Sequence, residues 1–396
     1  MTPPALGDRA LFPDLRPWAY LNHCGISPAS RAVQQAAAEV AQSYAEVGSN
    51  AVPRWLAQRA RLKDKLAHLI GARAADLALV PSTTRGIIDL ALCMPWRAGD
   101  RILCFEGEFP TNVTPWQAAA RTFGLQVDLL PLDGFGDGSG QGLQRVEDAL
   151  KQGARLVAVS AAQFQTGLRM PILALADLAH RYGAEIFVDA IQAVGVVPLQ
   201  DLAPRIDYLS CGSHKWLMGL EGCGFVYVHP DRVTALRPTI AGWLSHTDAL
   251  AFLFEGAGHL RYDRPIRARA DFLEVGATNV LGFAALEAAI DPILTLGVPA
   301  IYAHVQRYLD GLEQGCEALG FASLRAADPQ ARSGILSLRP PPDADLPALV
   351  RGLSARGVVA AMPDGHLRFG PHWPNALDEV PRVLGALAEA RQDRAL

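Results

Sequence analysis

Glu185-Ile186-Phe187-Val188-Asp189-Ala190-Ile191-Gln192 sets three consecutive apolar residues between two acids and then turns. A short apolar run without a polar face suits a strand covered on both sides, as in a parallel sheet. This run spans 185–188, and similar ones fall at 77–80, 101–105, 126–130, 156–160, 208–211 and 224–228. Helical periodicity fills intervals between them, at 85–93, 112–122 and 172–182, after two earlier helices at 29–47 and 54–70. The alternation predicts a three-layer α/β/α large domain with a mostly parallel seven-stranded sheet. Beyond about residue 230 it stops. Residues 238–263 read as loops near a site. Helices at 279–296, 299–319, 346–356 and 377–390, with strands at 334–339 and 366–369, predict a smaller α+β domain. The expected boundaries are 16–257 for the large domain and 258–396, joined by 1–15, for the small one.

With 396 residues, 50% hydrophobic and 19% charged, the chain can bury a sizeable core without staples. A net charge of -4 gives no electrostatic footprint for nucleic acid or for an anionic membrane. The first fifteen residues lack a basic start followed by an apolar stretch, so no secretory signal is expected, and no apolar run approaches a membrane span. The six cysteines are scattered without a C-x-x-C pair or a Cys/His cluster. They are expected as buried reduced thiols, with no metal site and a cytoplasmic location.

Lys215, in Ser213-His214-Lys215-Trp216-Leu217, lies 26 residues after Asp189. Most lysines are solvated. This one stands just past a strand, with Cys211 and Gly212 before it and Trp216, Leu217 and Met218 after it. An apolar setting of that kind desolvates an amine and lowers its pKa, as formation of a Schiff base with an aldehyde requires. Asp189, at the carboxyl end of a central strand, is either a plain helix N-cap or the partner of a buried cation. A protonated pyridine nitrogen supplies that cation. Together the two residues describe pyridoxal 5′-phosphate; neither alone carries the reading.

Other motifs have chemical and bland readings side by side. Val80-Pro81-Ser82-Thr83-Thr84-Arg85-Gly86 joins a strand end to a helix through three hydroxyls, which makes Thr83, Thr84 and Arg85 candidates for holding phosphate. Taken alone it is a helix cap. Phe109, in Glu108-Phe109-Pro110-Thr111-Asn112, follows the second strand at the edge where open α/β sheets bind ligands. It can stack on a cofactor ring or belong to the core. Gln163, after the fourth strand, can bond a phenolic oxygen or sit in a polar loop. Gln192 can reach that oxygen or the phosphate, and Ser213 and His214 can donate to the phosphate.

From Tyr20-Leu21-Asn22-His23 to Leu367-Arg368-Phe369-Gly370 the chain resembles the class V aminotransferase family of fold-type I pyridoxal-phosphate enzymes. That group includes cysteine desulfurases, kynureninase and isopenicillin N epimerase-like proteins. The resemblance implies Lys215 as the Schiff-base lysine, Asp189 on the pyridine nitrogen and Phe109 against the ring. It also implies Thr83, Thr84 and His214 on the phosphate. Thr278, in Gly276-Ala277-Thr278-Asn279, looks like the segment through which a partner subunit completes the phosphate site. Gly242-Trp243 resembles a partner-facing motif near the cofactor, so a homodimer with shared sites is implied. Arg368 matches the arginine that grips the substrate carboxylate, a task its planar fork suits. Asn22 lies in the stretch that lines the substrate cavity. Two departures stand out: no cysteine occurs between Glu317 and Arg368, and Gly212 stands where the desulfurase pattern has serine.

The expected activity is therefore conversion of an amino acid, a small-molecule substrate, with Lys215 as general acid and base. Transamination to a 2-oxo acid is expected first. A lyase acting by β-elimination, at a C–S or C–C bond, or an epimerase is the alternative. The missing loop cysteine argues against a persulfide-forming desulfurase. A cofactor-binding protein without turnover is the remotest reading, since Lys215, Asp189 and Arg368 are all present. A dinucleotide enzyme would need a G-x-G-x-x-G after the first strand, which the chain lacks.

Overall fold

The computed structural model describes residues 3–392. Seven strands form one sheet: β1 (Leu77–Val80), β2 (Arg101–Phe105), β3 (Gln126–Leu130), β4 (Leu156–Ser160), β5 (Glu185–Asp189), β6 (Tyr208–Gly212) and β7 (Gly224–Val228). Their order is β1-β7-β6-β5-β4-β2-β3. The pairs β2/β3, β2/β4, β4/β5 and β5/β6 are parallel, and β7 runs antiparallel to both β6 and β1. Every residue of β1, β4, β5, β6 and β7 is buried, which is why they read as nearly continuous apolar runs.

Because two antiparallel pairings separate β1 from β6, the carboxyl ends of β1, β2, β4, β5 and β6 lie along one sheet edge. Helix Thr83–Cys93 starts there, capped by Ser82, whose hydroxyl accepts the Arg85 N–H at 3.1 Å. On one side of the sheet, helix Val280–Leu296 packs against helices Arg31–Val47 and Val52–Ile70. Among the described residues no single helix is long and apolar enough to cross a membrane.

A second, antiparallel sheet comprises β8 (Ala322–Ser323), β9 (Leu336–Arg339) and β10 (Leu367–Phe369), in the order β10-β9-β8. The amino-terminal segment ties itself to this region. Ala19–Tyr20 pairs in parallel with Val358–Val359, and Asn22 bridges to Gly370. That approach needs glycine at 370, where an added Cβ would stand 2.7 Å from the Cys24 sulfur.

Helix Gln141–Lys151 and the two-residue strands were not legible in the sequence pattern. The last helix, expected over 377–390, begins as a 3₁₀ turn at Leu377–Glu379 and continues as Val380–Gln392. All six cysteines are free and buried, as their spacing suggested.

Candidate active site

Lys215 leaves the end of β6 and is largely buried, with its Nζ 5.4 Å from the centroid of the Phe109 ring. Burial lowers its pKa below the usual lysine range, and the nearby Arg368 guanidinium pushes the same way, while Asp189 opposes. Asp189 ends β5 and is 2% exposed. Burial raises its carboxyl pKa to about 7, against the Ile191 N–H that it accepts at 3.0 Å. Buried Glu108 adds to that rise. A carboxylate held so far from water needs a cation that this chain alone does not place on it.

Phe109 is 44% exposed, so it is not a core residue; it meets Phe164 edge to face at 5.2 Å. Thr83, at the first turn of its helix, is buried, and its hydroxyl oxygen has no partner among the described residues. The Gln163 Oε1 and the Arg368 Nε are buried and unpartnered in the same way. Two orphaned polar atoms at the sheet edge, Thr83 and Gln163, and a third on Arg368, which reaches this edge through the Phe164 carbonyl, match with Asp189 and Lys215 a phosphate, a phenolic ring substituent and a substrate carboxylate. The residues present fit pyridoxal phosphate.

Glu108, quoted in the sequence without a role, organises part of this edge. Its carboxylate accepts from the Ser160 N–H at 2.7 Å, from Gln163 Nε2 at 3.0 Å and from the Ser160 hydroxyl. Gln163 is thereby held with its amide oxygen free. Arg368, on β10, donates through Nη1 to the Phe164 carbonyl at 2.7 Å. Asn22 stands beside this strand through its bridge to Gly370.

Other candidates are placed differently. Both ends of the Gln192 amide are used within the protein: Nε2 donates to the Cys24 carbonyl at 3.0 Å and Oε1 accepts from Trp216 Nε1 at 2.8 Å. Gln192 therefore supports the lysine segment, and its second Nε2 hydrogen is the one group left to reach a cofactor. Ser213 is fully buried, and its hydroxyl donates to the Leu220 carbonyl and lies 3.3 Å from the Cys223 sulfur. It does not take over from the absent serine at Gly212, where a Cβ would press on the Thr83 hydroxyl at 3.1 Å. Thr84 bonds the Thr111 hydroxyl at 2.6 Å, and Arg85 pairs with Asp89 at 2.7 Å. His214 has its pKa lowered by burial and by Lys215. Trp243 and Thr278 line a separate cavity of about 690 Å³ with Arg59, Arg267 and Glu274. Within one chain they do not join Lys215.

Sequence reasoning missed His23, Ser27, His372 and Trp373, which surround the lysine segment from behind. The signal available was Pro371-His372-Trp373-Pro374, a polar and aromatic cluster three residues past Arg368.

Residues 19–362 match the model of the family described as aminotransferase class-V. The chain belongs to that family, and pyridoxal phosphate is its cofactor. Over 96% of both chains it is 25% identical to the uncharacterized aminotransferase YcbU of Bacillus subtilis. It is 28% identical to a probable cysteine desulfurase of Methanothermobacter thermautotrophicus, over 82% of this chain and 79% of the relative. To the isopenicillin N epimerase of Streptomyces clavuligerus it is 27% identical over 82% of each chain. Among solved structures, a C-DES mutant with glycine covalently linked to its pyridoxal-phosphate cofactor superposes with a TM-score of 0.85, at 23% identity, covering 96% of this chain and 99% of that one.

These relatives correct the expected activity. Cysteine desulfurases predominate among them, in sequence and in structure, so neither transamination as the first reading nor the exclusion of desulfurase chemistry stands. The physical reason is plain. A loop cysteine is needed where sulfur passes to the enzyme as a persulfide, whereas loss of sulfur by β-elimination needs only the lysine, the cofactor and a held substrate.

Proposed function

We propose that the protein is a pyridoxal-phosphate-dependent lyase that cleaves the β C–S bond of a cysteine-type amino acid. The observation that carries the reading is the convergence of Arg368 and Lys215: a buried arginine with an unpartnered Nε, near enough to depress the lysine's pKa. One binds a carboxylate; the other is an amine poised to lose its proton. That combination suits abstraction of the proton α to a carboxylate. Choice of the sulfur bond draws support from relatives named cysteine desulfurases and from C-DES, whose solved complex is described as a cystine C–S lyase with cysteine persulfide.

When bound, the cofactor supplies an electron sink beside the substrate's Cα. Asp189 would keep the ring nitrogen protonated, the start of helix Thr83–Cys93 with the Thr83 hydroxyl would hold the phosphate, and Phe109 would take the face of the ring. Arg368 fixes the substrate through its carboxylate, which places the Cα hydrogen toward Lys215. Lys215 takes that proton and can return it. The edge-to-face pair Phe109 and Phe164 gives the site an apolar wall, a surface on which a thioether or disulfide sulfur packs well. Incubation of the loaded protein with L-cystine and L-cysteine tests the reading. Pyruvate, ammonia and released sulfur in equal amounts are expected; deuterium at Cα in heavy water without loss of sulfur would overturn it in favour of epimerisation.

Two copies are further proposed to share their sites. Trp243, Phe252, Leu253, Phe254 and Tyr262 are exposed on one segment, with Tyr262 87% exposed, and Tyr44 and Leu56 are exposed on the helices lining the same cavity as Trp243. A patch of this kind is covered in a stable protein. Thr278 on that face would then complete the partner's phosphate site. Light scattering of the loaded protein is expected to give twice the chain mass, and Phe254→Glu is expected to halve it.

A further inference from the structure

We propose that Ser27 and His372 are positioning residues for Lys215: they grip its main chain from two distant segments and so set the reactivity of its amine. The proposal rests on Lys215 being the cofactor lysine. His214, Lys215 and Trp216 present three consecutive carbonyls, and each accepts a bond from far away in sequence. The Ser27 N–H donates to the His214 carbonyl at 2.7 Å. The Ser27 hydroxyl donates to the Lys215 carbonyl, also at 2.7 Å, and that oxygen takes the Met218 N–H at 2.9 Å as well. His372 Nε2 bonds the Trp216 carbonyl at 2.9 Å. Gly195 lies against this last carbonyl, where a Cβ would stand 2.5 Å from the oxygen.

The turn so gripped is strained. Met218 closes it at φ 57°, in the left-handed region that non-glycine residues enter at a cost. Its sulfur accepts from Trp373 Nε1 at 3.1 Å, so the residue after His372 holds the strained position. Strain of this kind persists only where the surroundings fix it.

The direction of every proton in the grip follows from its neighbours. The Trp373 N–H donates to His372 Nδ1 at 2.8 Å, so that nitrogen is bare and Nε2 carries the hydrogen given to Trp216. Ser27 spends its one hydrogen on Lys215, so its oxygen accepts from His23 Nδ1 at 2.8 Å. His372 is therefore neutral with its hydrogen on Nε2; His23 carries one on Nδ1 and is kept neutral by burial, and the two rings meet edge to face at 5.4 Å. Burial depresses the pKa of each; His372 lowers that of His23 further, while the bond to the Trp216 carbonyl partly offsets the fall at His372.

The function of such a grip is geometric. Lys215 must hold the cofactor and then, released, reach the Cα hydrogen; a fixed main chain confines Nζ to an arc between the two positions. The two arms are themselves joined, since Asn22 bridges to Gly370 and the His23 N–H donates to the Gly370 carbonyl at 3.0 Å. Gly370 lies two residues past Arg368, so the residue that takes the substrate carboxylate and the grip on the lysine share one strand end.

The test compares Ser27→Ala, His372→Phe, the conservative Ser27→Thr and the remote control Tyr302→Phe in the cofactor-loaded protein. Tyr302 donates its hydroxyl to the Arg332 carbonyl at 2.8 Å, away from the lysine. Two quantities are read: the pH midpoint of the bound cofactor's visible absorption, and amide deuterium exchange over residues 213–219. Ser27→Ala and His372→Phe are expected to move the midpoint by about half a unit or more and to speed exchange about tenfold. Ser27→Thr restores both, and Tyr302→Phe moves neither although it melts lower. Unchanged midpoint and exchange in Ser27→Ala, or equal changes in Tyr302→Phe, overturn the proposal. Should either alanine or phenylalanine variant fail to fold, His23→Ala, which leaves Ser27 in place, is expected to give the same changes at smaller size. Exchange is read equally well on protein without cofactor, so failure of the cofactor assignment is distinguishable from failure of the grip.

Discussion

Arg368 gives one hydrogen bond to the Phe164 carbonyl, at 2.7 Å, and keeps its buried Nε without a partner. One side of the guanidinium is anchored while the other remains open, which orients a fork for a carboxylate before any substrate arrives. Burying an unsatisfied donor costs about 1–3 kcal/mol, and that cost is recovered when the substrate binds.

Arg368→Lys should therefore raise KM for an amino acid by roughly 30- to 100-fold, equivalent to about 2–3 kcal/mol. Steady-state kinetics with L-cysteine checks this. Cysteamine, which lacks the carboxylate, should bind the wild type and the variant equally; a matching loss with cysteamine would show that the substitution damaged the site in general.

Asp189 gives the cofactor-free protein a pH dependence of defined sign. Its folded pKa, about 7, lies above the ordinary 3.8, so the folded state holds the proton more tightly. The associated stability is complete below about pH 4 and is lost as pH rises through 7. Asp189→Asn should remove this slope and make the cofactor-free protein the more stable of the two at pH 8, by a few kcal/mol. The same variant should bind pyridoxal phosphate more weakly. Thermal melts across pH, with and without cofactor, read both effects.

His372 works with the opposite sign. Burial lowers its pKa to about 4 from 6.5, so the folded state resists protonation. Its contribution is full above pH 6.5 and is lost as pH falls through 4, by about 3 kcal/mol. His372→Gln, which keeps a donor for the Trp216 carbonyl, should flatten the acid limb of the stability curve while leaving the melt at pH 8 within about 1 kcal/mol of wild type. Urea unfolding at pH 5 and pH 8 separates the two.

Phe109, 44% exposed, has no aromatic ring stacked on its face; the Lys215 Nζ stands over that face at 5.4 Å from the centroid. Phe109→Ala should weaken cofactor binding by roughly tenfold, the scale of one aromatic stacking contact. Melting temperature without cofactor should change little, because a half-exposed ring contributes little burial. Fluorescence titration with pyridoxal phosphate measures the first; a large fall in the cofactor-free melt would contradict the second.

The sheet was legible in the chain because most of its strands are covered on both faces; the edge strand β3 is the exception, with no buried residue. β1, β2, β3, β4 and β7 fall where apolar runs predict them, and β5 and β6 extend one residue further, to Asp189 and Gly212. The chemical pair Asp189 and Lys215 was legible for the same reason, since a charge at the end of a buried run demands a partner. Helix Gln141–Lys151 was not, because glycines at 138, 140 and 142 break the approach to it. The pairing of Ala19–Tyr20 with Val358–Val359 joins segments more than three hundred residues apart through two residues each, too few for periodicity to register. The grip on Lys215 is hidden in the same way: Ser27 and His372 contact main-chain atoms, and a carbonyl oxygen leaves no trace in residue identity. The exclusion of desulfurase chemistry was drawn from one missing cysteine, although a C–S bond can also break by β-elimination, which needs no protein nucleophile.

Product analysis with L-cystine as substrate tests the central claim most directly. Loaded wild-type protein should release pyruvate and ammonia in a one-to-one ratio together with persulfide sulfur, and Lys215→Ala should release none while still binding pyridoxal phosphate. Absence of sulfur release from L-cystine and L-cysteine by the loaded wild type, or full release by Lys215→Ala, would contradict it.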